Sequence, residues 1–262
     1  MRPKAAPRLA LSLCLFLAAP LAEAAPAGFV PHAHNGRDPE MRGGEVHVSL
    51  PAADCSETEY INREVSDCYN GNSRAMLKST RLIAPGEAAR YRFEVLVEEP
   101  LRYGGGPNRR SLLTIADWRR DRTSQNKLYA LHLDARRGLR FGDTPCLSPA
   151  DFGDWAQIEV LIRYDAERGL LRVRCDGRQV IARQGIDTLV PADCAAPYTY
   201  QCRPELQEPD HPVEMRLGLL HQGYGPLDRK RGLSPRGRVL RAPVGLRLRE
   251  LSVERVRLAP GV

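Results

Sequence analysis

The chain has 262 residues, 42% hydrophobic and 27% charged, with a formal net charge of +7. That balance excludes an intrinsically disordered chain and a collagen-like one. Beyond the N-terminus no apolar run approaches the ~20 residues that a membrane helix needs, which excludes a multispanning helical protein.

Residues 1–24 read as a secretory signal. Arg2, Lys4 and Arg8 form a basic start, Leu9 to Leu21 an apolar stretch, and Ala22-Glu23-Ala24 a small-x-small cleavage site. Without this segment the net charge is +5. The expected location is therefore secreted or periplasmic, with no membrane span once the signal is removed. Cys14 lies inside the signal. Six cysteines remain: Cys55, Cys68, Cys146, Cys175, Cys194 and Cys202. An even count in an exported chain reads as disulfides. Cys55 with Cys68 and Cys194 with Cys202 would close short loops, leaving Cys146 with Cys175, although other pairings fit the same count. No C-x-x-C spacing occurs and no histidine lies close in sequence, so no metal site and no cofactor are expected.

Residues 25–45 are rich in Pro, Gly and Ala and read as a lead-in. Residues 46–262 carry the punctuation of an all-β domain. Tyr91 to Val97 begins with a period of two, as a half-buried strand does. Short strands are expected at Ser111 to Ala116, Leu128 to Leu133 and Gly138 to Phe141. Residues 155–183 read as two consecutive hairpins, the second turning at Asp176-Gly177, a pair suited to the positive φ of a type I′ turn. Met215 to Leu219 is a strand containing a glycine. Leu246 to Leu258 alternates with phase shifts near Glu250 and Glu254, which predict bulges. Many short strands and no long helix favour a single jelly-roll β-sandwich.

Four stretches give the chain a family likeness: Asn72-Ser73-Arg74-Ala75-Met76-Leu77-Lys78, Glu87 to Phe93, Trp155 to Val180, and Val213 to His221 with its Arg216-Leu217-Gly218 core. In this order they resemble the polysaccharide lyases with a concanavalin A-like jelly roll, the heparin-lyase-like group above all. The resemblance spans about residues 45–258. It implies a β-elimination on a uronic-acid polysaccharide. An arginine neutralises the uronate carboxylate, a base removes the C5 proton, and an acid protonates the leaving oxygen.

On this resemblance Arg74 and Arg216 are the candidate neutralising groups. The chain departs from the pattern at both proton-transfer positions. Asp117-Trp118-Arg119 stands where the family reads Gln-x-His, and Leu220 stands where it has a tyrosine. His221 stands next to Leu220 and Tyr224 follows closely, and these are the candidate base and acid. The alternative is a non-catalytic carbohydrate-binding jelly roll of the cell envelope, and a third reading is an envelope protein without a sugar ligand.

Lys78 shares a strand face with Arg74. Asp117, Trp118, Arg119 and Arg120 suit sugar stacking with anion pairing, although Trp118 equally suits a core position. His132 either faces the sugar or is buried. The basic run Arg229-Lys230-Arg231 with Arg236, Arg238 and Arg241 either rims the site or is a solvated loop. The paired carboxylates of sandwich glucanases, a Gly-x-Ser-x-Gly elbow, a P-loop and a His-Glu-x-x-His helix are all absent. The expected partner is an acidic polysaccharide and not nucleic acid, and the expected state is a monomer.

Overall fold

The computed structural model describes residues 24–32, 38–52, 72–101, 113–120, 127–190, 211–222, 240 and 242–259. Fourteen strands run through them: β1 (Phe29–Pro31), β2 (Glu40–Arg42), β3 (Glu45–Leu50), β4 (Asn72–Ser79), β5 (Ala88–Val97), β6 (Leu113–Arg120), β7 (Lys127–Asp134), β8 (Gly138–Phe141), β9 (Thr144–Leu147), β10 (Ala156–Arg163), β11 (Gly169–Cys175), β12 (Arg178–Ile186), β13 (Val213–Gln222) and β14 (Val244–Val256). They form two seven-stranded sheets, ordered β1-β4-β13-β6-β7-β8-β9 and β12-β11-β10-β5-β14-β3-β2. All neighbouring strands pair antiparallel. The chain is thus a jelly-roll sandwich. The expected lead-in carries two short strands, β1 and β2, one in each sheet.

Alternation decides what lies between the sheets. In β5, Ala89, Tyr91, Phe93, Val95 and Val97 point inward while Arg90, Arg92 and Glu94 point out. From the other sheet, Trp118 packs edge-on against Tyr91, with centroids 5.6 Å apart, and lies 5.5 Å from Phe141. The hydroxyls of Tyr91 and Tyr164 lie 2.9 Å apart within this core, so two buried polar groups satisfy each other.

The two hairpins expected over residues 155–183 are present. Asp165 shapes the turn after β10, its Oδ1 accepting from the amides of Glu167 and Arg168 at 3.0 and 2.8 Å. Asp176 (φ 50°) and Gly177 (φ 74°) turn β11 into β12. Cys146 and Cys175 form a disulfide, with Cα atoms 5.5 Å apart, that joins β9 of one sheet to β11 of the other. Cys55, Cys68, Cys194 and Cys202 lie outside the described residues.

The bulge expected near Glu250 is real. Glu250 has φ 56°, and the register against β5 shifts between Arg249 and Ser252. None occurs at Glu254, since Ser252 to Val256 pair with Arg92 to Ala88 without a shift. A further irregularity sits between β13 and β6, where Leu217 pairs with Ala116 but Leu220 with Thr114. Gly218 lies beside it with φ 141°, and a Cβ there would come within 2.4 Å of the Ala75 carbonyl oxygen. Only glycine fits that approach.

Candidate functional site

The outward face of the first sheet is built by β4, β13, β6 and β7. On β4, Ala75 and Leu77 enter the core. Arg74, Met76 and Lys78, one residue out of step with them, therefore face outward. On β13, Val213, Met215, Leu217 and Leu219 point inward, so Glu214, Arg216 and Leu220 point out. On β6, Trp118 points inward, so Asp117 and Arg119 point out.

Cross-strand register makes a charged square of these residues. Arg216 lies opposite Asp117, and Glu214 lies opposite Arg119. Lys78 flanks Arg216 on one side and Lys127 flanks Arg119 on the other. Within each strand the acid grips the arginine two residues on. Arg119 donates two hydrogen bonds to Asp117, Nε to Oδ1 at 2.5 Å and a terminal nitrogen to Oδ2 at 2.6 Å. Arg216 Nε donates to Glu214 Oε1 at 2.6 Å, and Lys78 Nζ lies 2.5 Å from Glu214 Oε2. Both carboxylates are fully buried, whereas Lys78 keeps 31% of its side-chain surface and Arg216 keeps 12%.

The charges shape one another. Burial alone would raise the Asp117 pKa, but the charge and hydrogen bonds of Arg119, with Lys127 and Arg216, pull it below its ordinary value. Burial and the neighbouring Arg119 lower the Arg216 pKa, against the pull of Asp117 and Glu214. On the β7 side, Lys127 Nζ donates to Thr114 Oγ1 at 3.3 Å, and His132 Nδ1 lies 3.4 Å from the same oxygen. On the β1 side, His32 continues the pairing of β1 with β4, its amide donating to the Met76 carbonyl at 2.7 Å. Its ring Nε2 lies 2.6 Å from Arg74 Nη1.

Of the residues singled out in the sequence, Arg74, Lys78, Asp117, Arg119, Arg216 and His132 share this face. Three do not, and strand alternation is the reason. Trp118 is fully buried in the core. Arg120 points to the same inner side, where it donates to the Leu189 carbonyl. His221 is fully buried and follows Leu220 along β13, so it turns inward beside Ser73 and Leu113. A base at His221 acting on a sugar over this face is thus corrected by the fold. Leu220 takes the outward position between Arg74 and Thr114. Tyr224 and the basic residues Arg229, Lys230, Arg231, Arg236, Arg238 and Arg241 lie outside the described residues, as do residues 1–23 of the expected signal segment.

Sequence reasoning missed Glu214, Lys127, Thr114 and His32. For Glu214 a signal existed, because Glu214-x-Arg216 repeats the acid-x-Arg spacing of Asp117-x-Arg119. For His32 none did, since only pairing across 44 residues of chain brings it to Met76. Among the described residues, no group of three or more His, Cys, Asp or Glu side chains is arranged to hold a metal ion.

Comparison of the sequence with protein-family models and with curated proteins finds no match. Solved structures do match the fold. A double mutant of alginate lyase Aly36B in complex with alginate tetrasaccharide superposes with a TM-score of 0.50 at 10% identity, covering 87% of this chain and 86% of that one. The PL7 alginate lyase AlyA1 from Zobellia galactanivorans gives 0.47 at 9% identity, covering 85% of this chain and 82% of that one. The alginate lyase from Klebsiella pneumoniae gives 0.45 at 9%, with 85% of each chain covered. In fold, this chain is similar to the jelly-roll polysaccharide lyases.

Proposed function

We propose that the protein is an exported, lyase-like jelly roll whose basic face binds an acidic, uronic-acid polysaccharide. The observation that carries this reading is the charged square with its flanks. The square and its flanks hold four cations (Lys78, Arg119, Lys127 and Arg216) and two carboxylates, Asp117 and Glu214, and Arg74 lies on the same face opposite Leu220. The carboxylates are buried and bonded to their arginines, so they orient the cations and leave a net positive face. A carboxylated polymer complements that excess, and guanidinium groups match carboxylate geometry. The location in an oxidising compartment rests on the leader-like residues 1–24 and fits the Cys146–Cys175 disulfide.

A second reading is that the bound polymer is cleaved by β-elimination. The observation favouring it is His132, held beside Thr114 and Lys127 on the same face as Arg74 and Arg216. There an arginine would neutralise the uronate while an imidazole takes the C5 proton. That electron pair would form the C4–C5 double bond as the C4–oxygen bond breaks, and the leaving oxygen would gain a proton.

One titration separates the readings. The protein is mixed with polyuronates and with an uncharged glucan, at low salt and again at physiological salt, while the ultraviolet absorbance of unsaturated product is followed. Binding of polyuronates alone, weakening steeply with salt, is expected. A growing unsaturated chromophore would establish elimination. No polyuronate binding at low salt would refute the proposed function.

A further inference from the structure

Among the described residues, His32 is the one histidine that the fold brings to the face from outside its main strands. It lies just past β1, and its own strand contributes no charge there. From β4, Arg74 and Lys78 face it, from β13 Arg216, and from β6 Arg119. Glu214 and Asp117, the carboxylates of this face, are engaged by Lys78, Arg216 and Arg119. A guanidinium can only donate. The 2.6 Å contact of Arg74 Nη1 therefore requires an unprotonated His32 Nε2, which places the ring proton of the neutral imidazole on Nδ1.

We propose that His32 is a positioning residue for Arg74, a neutral acceptor that fixes the direction in which this guanidinium meets a carboxylate of the bound polymer. The proposal rests on the binding function above and adds a residue that acts through another. Two properties make His32 suited to this. As a neutral group it adds no charge to compete for the ligand. It also stays neutral, because burial and then the charges of Arg74, Arg216, Lys78 and Arg119 hold its pKa down to about 3. A carboxylate in this place would instead neutralise Arg74 and weaken polyanion binding.

The test is the affinity of the full chain for an alginate oligosaccharide at low salt. It uses His32→Ala, His32→Gln, Arg74→Ala and the double variant, with a thermal melt to confirm folding. His32→Ala is expected to weaken binding about tenfold, the worth of one hydrogen bond to a charged group. His32→Gln should recover most of that loss, since its amide oxygen accepts from Arg74. In the Arg74→Ala background the His32→Ala change should have no further effect. Should His32→Ala fail to fold, His32→Asn, whose shorter amide falls short of Arg74, takes its place with the same expectation.

Three outcomes overturn the proposal: unchanged affinity in His32→Ala, an equal loss with and without Arg74, or a pH inflection between about 5 and 8 that disappears in His32→Gln. Failure of the unaltered protein to bind any polyuronate would instead refute the function on which the proposal rests, and the proposal with it.

Discussion

The two sheets each turn an arginine-rich face outward, and the faces are built differently. On the second sheet the charges form partly exposed ladders: Glu159 with Arg90 and Arg92, Arg92 also with Glu254, Arg249 with Glu94, Arg247 with Glu45, and Arg255 with Glu87. All of these side chains keep 23% or more of their surface. On the first sheet the two carboxylates of the square, Asp117 and Glu214, are fully buried. Exposed pairs contribute little to stability, while buried carboxylates are costly unless every bond is made. The second face is a solvated surface and the first is a fixed electrostatic device. Counting arginines does not separate them, but locating the carboxylates does.

Substitutions can break this contrast. Glu214→Gln should have the largest effect. It preserves volume but leaves Lys78 and Arg216 beside each other without their anion, and urea unfolding should show a loss of about 3 kcal/mol. Asp117 sharpens the contrast through pH. Its folded-state pKa lies below the ordinary value of about 3.9, so its contribution is complete above that unfolded value and is lost as pH falls through the folded one. The stability difference between the unaltered protein and Asp117→Asn should be constant from about pH 8 to 5 and shrink below about pH 4. The smallest effect belongs to the other face, where Glu94→Gln should cost less than about 1 kcal/mol in the same unfolding assay. A loss there as large as at Glu214 would erase the distinction between the faces.

The sandwich was legible where the chain signals itself locally. The Asp176-Gly177 turn, the alternation of β10 and β11 and the bulge at Glu250 all stand in the sequence as read. The Cys146–Cys175 pairing is one of several that the cysteine count allows, and the fold forms it. The site was legible in its residue types more than in its orientation. Period two already separates Asp117 and Arg119 from Trp118 and Arg120, and Leu220 from His221. Reading those neighbours as one cluster joined opposite faces of a strand. The shift between Leu217 and Leu220 and the arrival of His32 beside Arg74 are long-range consequences of pairing, and no local pattern announces them.

The Cys146–Cys175 bridge has a mechanical consequence. It stitches the sheets together at the flank of β9 and β11, like a book bound along one spine. The opposite margin, where β1 borders the first sheet and β2 the second, is the fore-edge. Among the described residues, the fore-edge has no such covalent tie and is held by strand pairing and packing alone. There β1 is three residues long and paired to a single neighbour. This untied margin is also the one that carries His32 to the basic face.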